Sequence, residues 1–539
     1  MNKSLNNSQM NLDKSSKSNI TILIVLTLFI ITYLVLFHLS PIIGTNEAVY
    51  FLQAIKWSNP NLYINDWTLN LSNNFGIAFS AYLYPFISFI EDQGFAIQLV
   101  RITLWAFLLF SITNLTNAMQ IDLKASLLGI LLFLIVQDIG LMAAAWLFGG
   151  AEQKAIAYGL SFLALSAMLK QKYTMSGVFS GLAFLAHVVV GGWSAIALSI
   201  IVLLQGRKAF IRYAYFAIPL AFVTFLVAFT GIKHVDVMLF EGLDIAESLV
   251  LFRNPHHLDV YYFGTTAKAI LMLGCLTLIA YNCFFANTTR VIKMTSYYLL
   301  ILGVIMVLGF VARAFEYFDF LILYPFRVAS VTWPLLSTIY FSNIVLIFWE
   351  KGNFTLSKKS LVIFCMSGTV ILISFAYGLK KLDLRTSEIV EGQQINRKQI
   401  AANNTYAWIK THIPIDSIIL VNPCRGNFLY ATERAMVVNF KFTPVNSNYN
   451  EWYRRMFTLN RSKSFTSNGF AVCKELGQNY NSLAGEQLKK IQTLYHTDYY
   501  LTDVERPDLN SCIVFREYGN FVYNLPICEG NPIPPKNSL

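Results

Sequence analysis

SPIIGTNEAVYFLQAIKWSNPNLYIND, Ser40–Asp66, follows about twenty apolar residues, Ile20 to Leu39, and decides how the chain is read. An apolar run of that length crosses a bilayer core of roughly 30 Å as a helix. The stretch after it leaves the membrane and carries two acids, Glu47 and Asp66, among aromatics and amides. Apolar runs of similar length recur from there to residue 380.

Composition agrees. Of 539 residues, 55% are hydrophobic, 15% aromatic and 13% charged, where a soluble protein would carry about a quarter charged. The reading is an α-helical polytopic membrane protein of about eleven transmembrane helices, since in hydrocarbon each span must satisfy its own backbone. The net charge of +11 raises nucleic acid as a partner. That is rejected, because Lys and Arg gather in short loops between spans, as the positive-inside rule expects.

The tail 1–19, with Lys3, Lys14 and Lys17 among Asn and Ser, is expected to be disordered and cytoplasmic, and the first span to act as an uncleaved signal anchor. Basic loops at Lys124, Lys170–Lys172, Arg207–Arg212, Arg290–Lys293 and Lys351–Lys359 are read as cytoplasmic. Spans are expected near 97–118, 124–147, 154–169, 174–190, 192–205, 211–231, 263–286, 295–313, 320–347 and 360–379. Residues 76–90, short and broken by Pro85, read as an interfacial or re-entrant helix. The organisation is then a membrane domain over 20–379, with an outer loop at 41–95, and an extracytoplasmic α/β domain over 380–539. That domain is expected to hold a helix at 396–412, strands in SIILVNP, RAMVVNFKF and DYYLTD, and a hairpin turning at Tyr-Gly-Asn. Its four cysteines, Cys424, Cys473, Cys512 and Cys528, permit two disulfides in an oxidising compartment, with the pairing open.

The unusual residues fall in the outer loops. Glu47 and Asp66 suit a general base, or ligands for a divalent metal, Mg²⁺ or Mn²⁺; each also reads as a helix or turn cap. In GGAEQK, Glu152 and Lys154 open a helix after two glycines, a place where an anion finds free N–H groups. His187 ends an apolar span. FRNPHHLD packs Arg253, His256, His257 and Asp259 into seven residues, with Asn-Pro forcing a turn. Arg313 and Arg327 flank another outer turn, where they pair locally or meet a lipid phosphate. Asp138 lies deep in a span, where an acid is costly and default-functional. No Walker A loop, GxSxG or HExxH is present, so ATP-driven transport and standard hydrolase or zinc-protease chemistry are not supported.

GTNEAVYFLQA with Glu47, the segment 76–90 and AWIKTHIPIDSIILVNP together resemble the GT-C superfamily of membrane glycosyltransferases. NEAVYFLQ, NDW, EQKAIAYGL, FRNPHHLD and TERAMVVNFKFTPVN with EWYRRM also look like a bacterial family of multi-pass membrane proteins known as a domain of unknown function. Many GT-C enzymes carry Asp-Asp, Glu-x-Asp or Asp-Glu in the first outer loop; Asn46-Glu47 stands here. The resemblance implies transfer of a sugar from a polyprenyl-phosphate donor to an envelope acceptor on the outer face of the bacterial inner membrane. On it Glu47 is base or metal ligand, assisted by Asp66, and Lys154, Arg253, His256 and His257 hold the lipid-linked phosphate. The alternatives are a transporter or flippase of a lipid-linked or anionic solute, for which no symmetric repeat of spans is found, and a non-catalytic envelope-assembly protein. Membrane lipid is a partner on every reading.

Overall fold

The computed structural model describes residues 21–40, 43–71, 76–229, 243–284, 289–351, 393–444 and 446–528. Among them, five helices are long and apolar enough to cross a membrane: Thr21–His38, Gln93–Ala118, Arg207–Val227, Arg290–Ala314 and Ala329–Ile347. Shorter apolar helices include Gln153–Leu169, Tyr173–Ala186 and Val188–Leu204. The chain is a multi-pass membrane protein. The expected span at 360–379 and the N-terminal tail lie outside the described residues.

The chain forms two compact units, one of residues 1–40, 101–225 and 256–382, the other of 41–100, 226–255 and 383–539. The boundary read at residue 380 follows chain order; the units do not. The outer loop belongs with the C-terminal region.

Within the first unit, three expected spans are interrupted, each for a local reason. The span 124–147 ends as a helix at Ile139, because Gly140 turns the chain at φ 123°, a conformation open to glycine. The span 320–347 begins as a continuous helix only at Ala329. Pro325 disfavours helix at the residue before it, and Tyr324 sits at φ 55°. His187 adopts φ −158° between Tyr173–Ala186 and Val188–Leu204, and a Cβ on Gly191 would lie 2.3 Å from the Ala183 backbone, so these two helices pack at glycine distance. The intramembrane acid Asp138 accepts from Tyr33 Oη at 2.6 Å and lies 3.5 Å from His38 Nε2, which ties the first span to Leu123–Ile139.

Three of the basic loops meet at one end of this unit: Arg290 donates to the Leu169 carbonyl (3.1 Å), to Gln205 Oε1 (3.1 Å) and to the Tyr173 hydroxyl (3.3 Å). Lys154 starts the helix that Leu169 ends. At 1.5 Å per residue the two ends stand roughly 24 Å apart.

The second unit carries a five-stranded mixed sheet: β1 (Ile418–Leu420), β2 (Ala435–Met436), β3 (Tyr499–Thr502), β4 (Ile513–Glu517) and β5 (Asn520–Asn524), in spatial order β2-β1-β3-β5-β4. β1 runs parallel to β2 and β3, and β5 is antiparallel to β3 and β4. The β4–β5 hairpin turns at Gly519, φ 71°. Helix Gln393–His412 matches the expected 396–412; helix Val472–Asn481 was not foreseen, because its apolar side is only Val472, Leu476 and Tyr480. Disulfides join Cys424 to Cys473 and Cys512 to Cys528.

The outer loop is stitched into this unit over long sequence distances. Tyr63 Oη donates to the Leu429 carbonyl (3.0 Å), Asn65 Nδ2 to the Asp416 carbonyl (2.6 Å) and Lys441 Nζ to Asn46 Oδ1 (2.6 Å). Asp66 is the fully buried centre of the seam. One oxygen accepts from Leu69 N–H at 2.9 Å, capping Trp67–Asn70, and the other from Met436 N–H of β2 at 3.2 Å. Burial raises its pKa, and the two N–H groups and the nearby Arg455 charge work against that rise. Asp66→Ala removes a cap and leaves a strand N–H without an acceptor. A loss of about 2–4 kcal/mol is expected from those two terms, read as a lowered melting temperature of the purified protein, with Asp66→Asn losing less.

Candidate cation site of the membrane unit

The helix breaks of the first unit gather at the end that carries Lys154. Residues 140–152 form an irregular loop with Ala143 at φ 57°, Ala144 at φ 44° and Gly149 at φ 145°. Gln137 holds it: its Nε2 donates to the Phe148 carbonyl (2.7 Å), and its Oε1 accepts from Leu147 and Phe148 N–H (2.6 and 2.9 Å). Trp105 Nε1 adds a bond to the Gly149 carbonyl at 3.0 Å. Non-glycine residues at positive φ persist only where the surroundings over-determine them, and they cluster at functional sites.

Four other segments are tied together around this loop. Tyr158 Oη donates to the Arg327 carbonyl (2.7 Å), and Trp193 Nε1 to the Leu323 carbonyl (2.7 Å). His257 Nδ1 bonds the Ala143 carbonyl at 2.7 Å. The carbonyl only accepts, so Nδ1 carries the proton, and a neutral His257 keeps a lone pair on Nε2. At His187 the assignment is reversed. Nδ1 accepts from Val190 N–H at 3.3 Å, which leaves Nε2–H as a donor.

The result is a concentration of positive charge. Arg327 acts electrostatically on Lys154, Tyr158, His187 and His257, and Lys154 acts on both histidines. Lys154 Nζ is buried, 2.8 Å from Glu152 and 3.5 Å from the Trp146 ring centroid. Its charge is answered. Arg313 is answered too, by Asp259 at 2.9 Å. Arg327 is not: it lies over the Tyr324 ring at 5.0 Å, and among the described residues no acid pairs with it. Beside Lys154, Gln153 Oε1 is buried and takes no hydrogen bond among the described residues. The His256 ring lies beside that of His257, with centroids 4.0 Å apart and the planes tilted by 45°.

The structure thus brings together Glu152, Lys154, His187, His256, His257 and Arg327. Arg313 is committed to Asp259 and two aromatic rings. Arg253 makes its contacts in the second unit, where it donates to the Phe440 carbonyl and Thr443 Oγ1 (2.8 Å each) and to the Lys441 carbonyl (3.2 Å). A buried guanidinium spreads its donors over several acceptors, and the bonds here go to backbone and side-chain oxygens of the protein. Glu47 is buried in the second unit, and its Oε2 accepts from Gly44 N–H at 2.7 Å, closing the start of helix Thr45–Ser58.

The metal reading of Glu47 and Asp66 fits poorly. Both Asp66 oxygens already hold backbone N–H groups, and among the described residues no three His, Cys, Asp or Glu gather to hold an ion. Trp146, Gln153 and Tyr324 were not singled out in sequence. The signal for the first two, WLFGGAEQ, lies partly inside the expected span 124–147, and Tyr324 lies inside the expected span 320–347.

Among families, a domain of unknown function (DUF6798) matches residues 401–459. No curated protein matches the chain. Among solved structures the chain is similar to ArnT from Cupriavidus metallidurans in the apo state, at 10% identity and a TM-score of 0.47, over 94% of this chain and 98% of that one.

Burial, the Arg327 charge and His256 push the His257 imidazole well below its ordinary pKa. The unfolded imidazole takes a proton near pH 6.5 and the folded one does not. Stability is therefore intact above about pH 6.5 and falls as pH drops below it, by at most about 1.4 kcal/mol per pH unit. Melting temperatures from about pH 7.5 to about 5 should decline more steeply for the wild type than for His257→Gln.

Proposed function

We propose that this chain is an integral-membrane glycosyltransferase that moves a sugar from a polyprenyl-phosphate donor to an envelope acceptor, on the outer face of a bacterial inner membrane. The observation that carries the reading is Arg327, a half-buried guanidinium without an acid partner among the described residues, in a unit built of apolar helices. An uncompensated charge in such surroundings is costly, and intramembrane charges mark ligand pathways. A phosphate at the head of a lipid carrier brings the opposite charge to the ends of the helices, and the planar fork of Arg suits its oxygens.

The chemistry asks for that charge. An acceptor hydroxyl oxygen bonds to the anomeric carbon as the bond from that carbon to the phosphate oxygen breaks, and the electron pair leaves on the phosphate. Cations fixed beforehand stabilise the charge as it grows. Arg327 and Lys154 supply it, His187 Nε2–H adds a donor, and Gln153 Oε1 accepts from a sugar hydroxyl. The hydroxyl proton goes to a base. Asp66 is left in a structural role by its two N–H bonds.

The test uses the purified protein in proteoliposomes with a panel of radiolabelled polyprenyl-phosphate sugars, following release of label from the lipid. Wild type is expected to turn over one of them, and Arg327→Gln to lose about a hundredfold or more, the scale of removing one oxyanion donor. Undiminished transfer by Arg327→Gln contradicts the reading. Donor binding with no turnover by wild type moves the assignment to a flippase.

A further inference from the structure

The second unit holds a cavity of about 380 Å³ lined by Asn65, Trp67, Met436, Arg455, Tyr495 and His496, among others. Its volume falls within the range of small-ligand clefts, about 300–1,000 Å³. It is assembled from four separated stretches: the outer loop, the β1–β2 edge of the sheet, helix Tyr449–Leu459, which carries Arg455, and the end of helix Gly485–Tyr495.

Arg455 is its most ordered polar group. The guanidinium carbon lies 4.5 Å from the Trp67 ring centroid and 4.8 Å from that of Tyr495. Its Nε donates to Glu451 Oε1 at 2.7 Å and its Nη1 to the Val437 carbonyl at 2.8 Å. These contacts fix the plane of the group and leave Nη2 without an acceptor among the described residues. Glu451 does not neutralise Arg455 alone, because it is also held by Arg454 through two bonds of 2.6 and 2.8 Å. One carboxylate serves two guanidinium groups, and the buried Asp66 carboxylate also feels the Arg455 charge, so what Arg455 offers the cavity is its oriented Nη2 donor rather than a net charge.

The other lining groups add hydroxyl-binding chemistry. Asn65 Nδ2 is committed to the Asp416 carbonyl, and its Oδ1 remains as an acceptor. His496 holds an αL position at φ 54° at the end of helix Gly485–Tyr495, with its side chain exposed at the cavity. Leu494 and Met436 give an apolar floor. A preset guanidinium, an amide acceptor, an imidazole and apolar surface in one small cleft match a ring with hydroxyls and one anionic substituent.

We infer that this cavity binds an anionic sugar, with its carboxylate or phosphate on Arg455 Nη2 and its hydroxyls on Asn65 and His496. The inference goes beyond the transfer reaction, since the site lies within the second unit and its occupancy needs no donor lipid.

Titration calorimetry of the full-length protein in neutral detergent tests it, with glucuronate, glucose 1-phosphate, glucose and inorganic phosphate as probes. At least one anionic sugar should bind about tenfold or more tightly than glucose, the scale of a charge-assisted hydrogen bond. Glucuronate alone identifies a hexuronate site; glucose 1-phosphate alone identifies a sugar-phosphate site. Arg455→Gln should remove the preference over glucose. Leu494→Trp fills the cavity from an exposed position, leaves the bonds of Arg455 to Glu451 and Val437 intact, and should weaken binding by a similar factor. The inference is overturned if neither anionic sugar binds, if glucose binds equally, if inorganic phosphate binds as tightly as glucose 1-phosphate, or if both variants bind as wild type does.

Discussion

A positive charge held among apolar helices must be answered, and two cations at the loop end of the first unit have acid partners. Lys154 has Glu152 and Arg313 has Asp259. Arg327 has an aromatic face and the carbonyl-anchored turn that holds it, and no acid among the described residues. Burying a lone charge is expensive, and one partner of a buried pair left alone is a large destabilisation. A protein that keeps such a group gains something from it elsewhere, and a ligand anion is the direct candidate.

The architecture supports that charge by interrupting its own helices. Gly140, His187 and Pro325 each end or bend a segment that composition alone would carry straight through the bilayer. Irregular backbone at membrane depth is tolerated where it is buried in protein or lines a polar cavity, and here its polar groups are taken by side chains. Gln137 holds the 140–152 loop, Tyr158 and Trp193 hold the turn before Ala329, and His257 holds Ala143. The same side chains that satisfy the backbone therefore position the cations. At the far end of helix Gln153–Leu169, Arg290 gathers three of the basic loops, so the unit presents two chemically different ends.

Much of this was legible in the sequence. Apolar length and loop charge gave the multi-pass class, and residue type in short polar loops marked Glu152, Lys154, His187, His256, His257 and Arg327. Periodicity could not show that these loops converge, because their contacts run between residues such as Tyr158 and Arg327, 169 positions apart. It also could not separate a functional acid from a structural one. Asp66 reads as a catalytic carboxylate until its second oxygen is seen on Met436, 370 residues away, and Arg253 reads as a phosphate ligand until its donors are found on the Phe440 and Lys441 carbonyls. The expected span 124–147 concealed the loop that carries Trp146, since an apolar run does not announce where its backbone stops being helical.

The most direct measurement is the affinity of the purified protein for polyprenyl phosphate against the matching polyprenol, by native mass spectrometry, in wild type and Arg327→Gln. The two lipids differ only in the phosphate, so their ratio isolates the role assigned to Arg327. A preference of about tenfold or more for the phosphate, abolished in Arg327→Gln, is the predicted result. Equal binding of the alcohol, or a preference that survives the substitution, contradicts a phosphate site at Arg327.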